Sequence, residues 1–108
     1  MFALKDGGPI GVVAIRHLGG GAYEFCKLVV LEEARGLGAG RALVAACISF
    51  VRRAGGHLLM LQSFRRLEVA LAMYERMGFT PMAAPAGMLV LARTEVIMGL
   101  RLEGRATA

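Results

Sequence analysis

A glycine-rich stretch between an apolar run and a helical pattern constrains the fold of this chain more than any other feature. The apolar run is Leu28 to Leu31, and the helical pattern starts near Gly40. Glycine allows positive φ and close approach of a ligand, and the first turn of a helix leaves N–H groups unpaired. A strand, a glycine turn and a helix in this order therefore predict an anion-binding turn. Its residues, with an arginine at each end, are Arg35, Gly36, Leu37, Gly38, Ala39, Gly40 and Arg41.

Two common phosphate-binding motifs do not match this turn. The P-loop needs Lys and then Ser or Thr after the last glycine, and the dinucleotide motif G-x-G-x-x-G needs a glycine where Arg41 stands. The pattern that remains is R-x-x-G-x-G, from Arg35 to Gly40. The turn thus predicts a phosphate-bearing ligand outside those two families of sites.

Hydrophobic periodicity predicts strands and helices on both sides of the turn, within one domain. Gly19, Gly20 and Gly21 separate two strand patterns and favour an antiparallel hairpin. Leu58 to Leu61 predicts a buried strand parallel to the one before the first helix. The predicted elements are a partial strand at 1–4, a hairpin over 10–31, the glycine turn and a helix over 35–54, a strand at 57–63, a helix over 67–78 and strands within 79–102.

The same periodicities predict which side chains are buried. In the second hairpin strand, alternation puts Glu24 in a largely apolar row with Cys26, Leu28 and Val30. The two helices are expected to bury stripes at spacings of three and four residues. These stripes are Leu43, Ala46, Cys47, Phe50 and Ala54 on the first helix, and Leu67, Ala70, Leu71, Tyr74 and Met77 on the second.

Composition narrows the compartment and the partners. With 56% hydrophobic residues and a mean hydropathy of +0.59, the chain has more apolar surface than 108 residues easily bury, which favours a homo-oligomer, simplest as a dimer. No apolar run reaches the roughly 18 residues of a membrane span, and Lys5 and Asp6 interrupt any signal peptide. A cytoplasmic protein without a membrane partner is expected.

Charge and cysteine content narrow the kinds of ligand that are expected. The positive net charge fits a small anionic ligand. The net charge of +5 is spread along the chain, and Trp is absent, so nucleic-acid binding is disfavoured although it is kept as a third hypothesis. Cys26 and Cys47 lack metal-ligand spacing, so both are expected to be small core residues, and no metal is predicted.

Two separated motifs together resemble the GNAT superfamily of N-acetyltransferases. The first runs from Val30 through Glu33 to Leu43 and includes the glycine turn, which resembles the acetyl-CoA pyrophosphate loop of that family. The second, Ala70 to Phe79, reads Ala-Leu-Ala-Met-Tyr-Glu-Arg-Met-Gly-Phe. The resemblance covers nearly the whole chain and implies an α+β fold, with a mixed β-sheet flanked by two main helices.

The resemblance also implies a cofactor site. In the family, the strand before the glycine loop splays from its parallel neighbour and offers backbone groups to the pantetheine arm of acetyl-CoA. Here those positions are Leu28, Val29 and Val30. The loop amides from Gly36 to Arg41 would bind the pyrophosphate, and an amide near Val30 would stabilise the oxyanion.

Two residues are candidates for proton transfer. Tyr74 matches the family tyrosine that points at the cofactor sulfur, so it is the candidate general acid; a core aromatic residue is the structural alternative. Glu24 matches a strand position where many relatives have a base, acting directly or through water. A carboxylate in an apolar row holds a proton more tightly, as a base needs, but a salt bridge at a sheet edge would explain it as well.

Two departures from the family shape the expected activity. Leu67 stands where many relatives have an asparagine that contacts the cofactor, and the chain starts about where the second family strand would. A GNAT domain lacking the usual N-terminal strand and helices is therefore expected. The main prediction is acetyl transfer from acetyl-CoA to a primary amine by direct attack, and the alternative is a non-catalytic acyl-CoA-binding or interaction module.

Overall fold

The computed structural model describes residues 2–5, 8–30 and 38–102. These residues form six strands and two helices, in an order that matches the sequence pattern. The elements are β1 (Phe2–Lys5), β2 (Gly8–Gly19), β3 (Ala22–Val30), α1 (Ala39–Arg53), β4 (Leu58–Ser63), α2 (Glu68–Arg76), β5 (Thr80–Pro81) and β6 (Val96–Arg101).

The six described strands form one mixed sheet in the order β1-β2-β3-β4-β6-β5. β3 and β4 are parallel and are connected through α1, whereas the other neighbouring pairs are antiparallel. Because a parallel pair needs a crossover connection, the helix after the glycine turn brings β4 beside β3. The predicted mixed sheet with two main helices is confirmed.

One face of the sheet is covered by α1 and α2, and we call it the helix face. Tyr23 on β3 contacts Phe50 of α1, and its neighbour but one, Phe25, contacts Tyr74 of α2. The buried core lies between this face and the helices, as expected for amphipathic helices on a sheet. Its members include Val13, Phe25, Leu43, Val44, Cys47, Val51, Leu59, Leu61, Tyr74, Phe79, Met98 and Leu102.

The buried stripe of α1 is rotated from the predicted one. Leu43 and Cys47 are buried as expected, but Val44 and Val51 are also buried, whereas Phe50 is 41% exposed. Positions 43, 44, 47 and 51 still lie on one face of the helix. This face is rotated by about one residue from the predicted one, so that Val51 is buried where Phe50 was expected. The edge of the Phe50 ring meets Tyr23 at the margin of the core, with ring centroids 6.3 Å apart.

The second helix presents Tyr74 to the core, with Ala70, Leu71 and Met77 partly buried beside it. Leu67 was predicted in the same stripe, but it precedes the helix as its N-cap residue and is exposed. Gly78 has φ +104°, which confirms the expected left-handed stop after the helix.

The opposite face is crossed by the segment 82–95, and we call it the loop face. Glu24 of β3 and Gln62 of β4 lie on this face, where Gln62 hydrogen-bonds both Glu24 and the segment. Gly87 approaches β2 so closely that a Cβ atom there would collide with the carbonyl oxygen of Leu18. The loop face therefore has a polar contact network instead of a helix.

A β-bulge in β3 breaks the alternation predicted for that strand. Ala14 pairs with Lys27 whereas Ile15 pairs with Phe25, so Cys26 is an extra residue between two paired positions. As a result Cys26 is exposed, and the prediction that it is a core residue was wrong. Cys47 is buried, as predicted.

Candidate active site

The parallel pair of β3 and β4 is joined over only part of its length. Its described pairs are Ala22 with Leu58, Tyr23 with Leu59, and Glu24 with Met60, although β3 continues to Val30. Beyond Glu24, β3 remains paired with β2 on its other side. The backbone groups of β3 that point toward β4 past Glu24 therefore make no described ladder bonds, which leaves them available for a ligand.

The N-terminus of α1 fits an anion. Gly38 has φ +81°, precedes the helix and is exposed, and a Cβ atom built there would meet nothing within 4 Å. The N–H of Ala42 bonds the Gly38 carbonyl at 2.9 Å, so the N–H groups of positions 39–41 precede the first helical bond. The described first turn has no acidic residue and no side-chain cap, and Arg41 is exposed beside it. Among the described residues, no acidic side chain in this first turn opposes a bound phosphate.

Glu24 is the last residue of β3 in the described pairs with β4, at the point where the two strands separate. Its side chain is only 4% exposed. Oε2 accepts a hydrogen bond from Gln62 Nε2 at 2.9 Å, whereas Oε1 is a buried polar atom without a partner among the described residues. A buried acceptor left without a partner costs about 1–3 kcal/mol, and such groups in native proteins call for a functional explanation.

Gln62 is a site residue that the sequence analysis missed. Besides its bond to Glu24, its Nε2 donates to the Leu89 carbonyl at 2.9 Å. Its Oε1 accepts from the Leu91 N–H at 3.0 Å and from the Thr94 hydroxyl at 2.5 Å. The available signal was a single amide side chain ending an otherwise apolar strand pattern, Leu58 to Leu61.

A cleft of about 320 Å³ opens over Glu24 on the loop face. It combines a cationic side chain, the carboxylate and apolar side chains, and its lining includes Arg16, Glu24, Gln62, Phe64, Leu89 and Thr94. Arg16 pairs with Glu24 across β2 and β3 and forms no ion pair with it within the described part of the chain. The Glu24 carboxyl group therefore lines the cleft, while its Oε1 atom is itself buried.

A larger cleft of about 560 Å³ adjoins it through Phe64 and is lined by Arg65, Arg66, Arg93 and Glu95. Its ion pair joins Arg65 to Glu95 at 4.0 Å, with both side chains well exposed. Exposed pairs of this kind contribute little to stability. Because the larger cleft has no unpartnered buried polar atom among the described residues, the smaller cleft is the better candidate for chemistry.

Tyr74 reaches the same point of β3 from the helix face. Its ring centroid lies 5.7 Å from that of Phe25, the first residue of β3 past the described pairs with β4, and 5.9 Å from that of Phe79. Tyr74 is 6% exposed, and burial raises the pKa of its hydroxyl. It therefore stays protonated at neutral pH and can act as a proton donor.

The structure thus brings Glu24 and Tyr74 to the strand separation from opposite faces of the sheet. The backbones of Leu28, Val29 and Val30 lie further along β3, and Gly38, Ala39, Gly40 and Arg41 lie at the start of α1. Arg35, Gly36 and Leu37 were also predicted to bind the cofactor, but they lie outside the described residues. Within the described parts of the chain, no group of three His, Cys, Asp or Glu side chains could hold a metal ion.

A mixed sheet whose central parallel strands separate, with a helix N-terminus beyond them, defines the acyl-CoA N-acyltransferase fold. The sequence model of the acetyltransferase (GNAT) domain matches residues 1–81. Since this match covers most of the 108 residues, the chain belongs to the GNAT acetyltransferase family. No curated protein sequence matches it significantly.

Solved GNAT structures superpose on nearly the whole chain. A GNAT-family acetyltransferase from Staphylococcus aureus Mu50 has a TM-score of 0.87 at 17% identity, covering 94% of this chain and 66% of its own. A GNAT-family protein from Desulfovibrio desulfuricans has a TM-score of 0.74 at 28% identity, covering 93% and 66%. The PaiA N-acetyltransferase from Thermoplasma acidophilum, solved with coenzyme A, has a TM-score of 0.76 at 18% identity, covering 93% and 58%. The chain thus spans two thirds or less of these relatives.

Neither α1 nor α2, the two helices within the described residues, is long and apolar enough to cross a bilayer.

Proposed function

We propose that the chain transfers an acetyl group from acetyl-CoA to a primary amine by direct attack. The observation that carries this proposal is the separation of β3 from β4 after Glu24, with a buried unpartnered carboxylate oxygen on one face and a buried tyrosine on the other. Membership of the GNAT family supports the same chemistry. The proposal names no particular amine, because the fold does not determine the acceptor.

The coenzyme would lie along the strand separation and end at α1. Backbone groups of Leu28, Val29 and Val30 would bind the pantetheine arm, and the amides from Gly38 to Arg41 would bind the pyrophosphate. Arg35, Gly36 and Leu37 are proposed for the same phosphate site from the sequence pattern alone. An amide near Val30 would stabilise the negative charge that develops on the thioester oxygen.

Glu24 is proposed as the general base. An ammonium group in the loop-face cleft would transfer its proton, directly or through water, to the Glu24 carboxylate, whose Oε1 has no described partner. Transfer of that proton frees the nitrogen lone pair to attack the thioester carbon. This direct attack needs no covalent enzyme intermediate.

Tyr74 is proposed as the general acid. When the carbon–sulfur bond breaks, the leaving thiolate takes the hydroxyl proton, which Tyr74 retains at neutral pH because burial raises its pKa. The ring contacts with Phe25 and Phe79 hold the side chain in place for this role. The same contacts would equally hold a purely structural tyrosine, so its role depends on the test below.

Coenzyme binding is tested first, by calorimetric titration with acetyl-CoA. Gly38→Glu should abolish binding, because it puts a carboxylate and added bulk at the N-terminus of α1. Gly55→Glu is the matched control, since Gly55 lies just past the other end of α1, also has φ +81° and also faces open space. Binding by the parent chain and by Gly55→Glu, but not by Gly38→Glu, supports the phosphate site. Equal binding by both variants contradicts it.

Turnover is tested by thiol release from acetyl-CoA with a panel of primary amines. Glu24→Gln should lower kcat by about 100-fold or more and remove the acid limb of the pH–rate profile. Tyr74→Phe keeps the ring and its packing, so it should lower kcat without changing acetyl-CoA binding. An unchanged pH profile in Glu24→Gln would exclude the base role.

A non-catalytic acyl-CoA-binding module is the alternative. It is favoured by the aromatic packing of Tyr74. Binding of acetyl-CoA without thiol release across the amine panel would support this alternative. Acetylated product formed only with intact Glu24 would exclude it.

We also propose that the chain forms a homodimer and that it is cytoplasmic. Leu67 and Val69, at the start of α2, are large apolar side chains that are exposed on the described surface, as expected if a second copy covers this part of it. Sedimentation at micromolar concentration tests the proposed homodimer. A purely monomeric protein would contradict it.

A further inference from the structure

Gln62 connects the candidate base to the segment that covers it. Its side chain makes four hydrogen bonds, one to Glu24 and three to residues of the 82–95 segment. We propose that Gln62 is the positioning residue of Glu24 and makes the orientation of its carboxylate depend on the placement of this segment. The inference rests on the proposed function for its effect on turnover, whereas its effect on the carboxylate can be measured without any turnover.

The hydrogen-bond partners fix the orientation of the Gln62 amide. Oε2 of Glu24 and the carbonyl of Leu89 are acceptors, so they must face Nε2. The N–H of Leu91 is a donor, so it must face Oε1. A flipped amide would put oxygen against the carboxylate, which is repulsive. The two donors and two acceptor sites of the amide are then all used, so the side chain has one favourable arrangement.

This arrangement distinguishes the two oxygens of Glu24. The Gln62 donor holds Oε2 and leaves Oε1 buried without a described partner. A base needs such a free lone pair aimed at the incoming proton, and small errors in its placement lower the rate strongly. Gln62 therefore determines which carboxylate oxygen receives the proton.

The three bonds to the segment span Leu89 to Thr94 and include two backbone groups. If the segment moves away from the sheet, Gln62 loses the partners that hold its amide, and Glu24 loses its fixed donor. The cleft wall and the base therefore behave as one unit. Side-chain substitutions at Leu89 or Leu91 leave the two backbone bonds intact, which makes the arrangement tolerant of sequence change in the wall.

Three substitutions separate the contact with Glu24 from closure of the segment. Gln62→Glu keeps an oxygen for Leu91 and Thr94 but replaces the donor that faces Glu24 with a second carboxylate oxygen. Thr94→Val removes one bond to Gln62 and leaves the bond to Glu24 in place. Gln62→Met keeps the length of the side chain and removes all four bonds.

The first measurement is the titration of Glu24 by carboxyl-carbon NMR, with its signal assigned from Glu24→Gln. Gln62→Glu and Gln62→Met should move the midpoint to higher pH, because a second carboxylate or a lost donor disfavours the charged form. Thr94→Val should move it in the same direction but by less than Gln62→Met does, because it loosens the segment and keeps the Gln62 donor. The charged or titratable side chains that also face this carboxylate, within the described residues, are Arg16 from β2 and Cys26 from β3, and they are unchanged in all three variants.

The second measurement is turnover with the best amine of the panel. Gln62→Glu should lower kcat at least about 10-fold, move the acid limb of the pH–rate profile to higher pH, and leave acetyl-CoA binding within about twofold. Thr94→Val should lower kcat and move the acid limb by less than Gln62→Glu does, because the bond between Gln62 and Glu24 stays in place. A structural role for Gln62 would instead lower the amount of active protein and leave the pH profile alone.

Arg93 is an exposed residue of the 82–95 segment. The rate of tryptic cleavage after Arg93 therefore measures how closely this segment is held against the sheet. Faster cleavage is expected in Gln62→Met and Thr94→Val than in Gln62→Glu. If the parent chain binds acetyl-CoA but turns over no amine, the proposed function fails, and a shifted Glu24 midpoint in Gln62→Met still supports the positioning role. An unmoved midpoint in both Gln62 variants overturns the inference whether or not the chain is active.

Discussion

The two faces of the sheet are covered through different kinds of contact. On the helix face, α1 and α2 bury apolar side chains such as Leu43, Val51 and Phe79 against β3 and β4. On the loop face, the segment 82–95 is held by Gln62, through side-chain and backbone hydrogen bonds, above the buried Glu24. Apolar burial contributes most of the stability of a fold, whereas a buried unpartnered carboxylate oxygen reduces it. The comparison assigns most of the stability to the helix face and the candidate base to the loop face.

The sharpest way to test this division is to truncate the centre of the helix face. Phe79 is fully buried, and its ring meets Phe25 edge-on at 6.1 Å and Tyr74 at 5.9 Å. Phe79→Ala should therefore lower the free energy of unfolding by about 3–5 kcal/mol, as measured by urea denaturation. Phe79→Leu, which keeps most of the volume, should cost much less. A loss below about 1 kcal/mol in Phe79→Ala would show that the core is not centred here.

The second prediction is a loss of folding stability at alkaline pH, caused by a buried thiol on the helix face. Burial raises the pKa of the Cys47 thiol from 9.0 to about 11, so the folded chain keeps a proton that the unfolded chain loses. The stabilisation is fully present below pH 9 and is lost as the pH rises through about 11. At 1.36 kcal/mol per unit, the loss amounts to roughly 2.7 kcal/mol. Burial also raises the pKa of Tyr74, which adds to the loss above pH 10.

Denaturation at pH 8, 9, 10 and 11 measures this slope. Cys47→Ala should flatten it, although the smaller side chain lowers stability at every pH. Cys26→Ala, at an exposed position, should leave the slope unchanged. Parallel slopes in the parent chain and in Cys47→Ala would contradict the assignment.

The helix face was largely predictable from the sequence, because its order follows from local periodicity. Leu43, Cys47 and Tyr74 recur at helical spacing, and each is buried where a contiguous pattern put it. Phe50 was placed wrongly because several apolar residues compete for the face of α1, and the choice depends on where the sheet lies. Cys26 was placed wrongly because a bulge is a local change of register that alternation does not reveal.

The loop face was less predictable, because its contacts join residues far apart in the chain. Glu24 was found through its family position, but Gln62 follows it by 38 residues and Leu89 follows Gln62 by 27. No periodicity links such positions. Their hydrogen bonds depend on a segment with little regular secondary structure, whose path no local pattern determines. The sequence could therefore name the base but not the amide that holds it.

A third substitution tests how closely the segment must approach the sheet. Gly87 has φ +90°, and an added Cβ would collide with the Leu18 carbonyl oxygen. Gly20 also has positive φ, +61°, but an added Cβ there meets open space. Gly87→Ala should therefore cost about 1–2 kcal/mol more than Gly20→Ala in denaturant unfolding, since both carry backbone strain and only one carries the collision. Equal costs would mean that the segment adjusts freely over β2.

The smallest effect is expected at the side chains of the segment itself. Leu89 is 68% exposed, and its contact with Gln62 is made by the backbone carbonyl. Leu89→Ala should therefore change the free energy of unfolding by less than about 0.5 kcal/mol, because neither a buried side chain nor the bond to Gln62 is lost. Denaturation at several protein concentrations checks this. A larger, concentration-dependent loss would mean that a second copy covers Leu89, and the loop face would then share the stabilising role that the comparison gives mainly to the helix face.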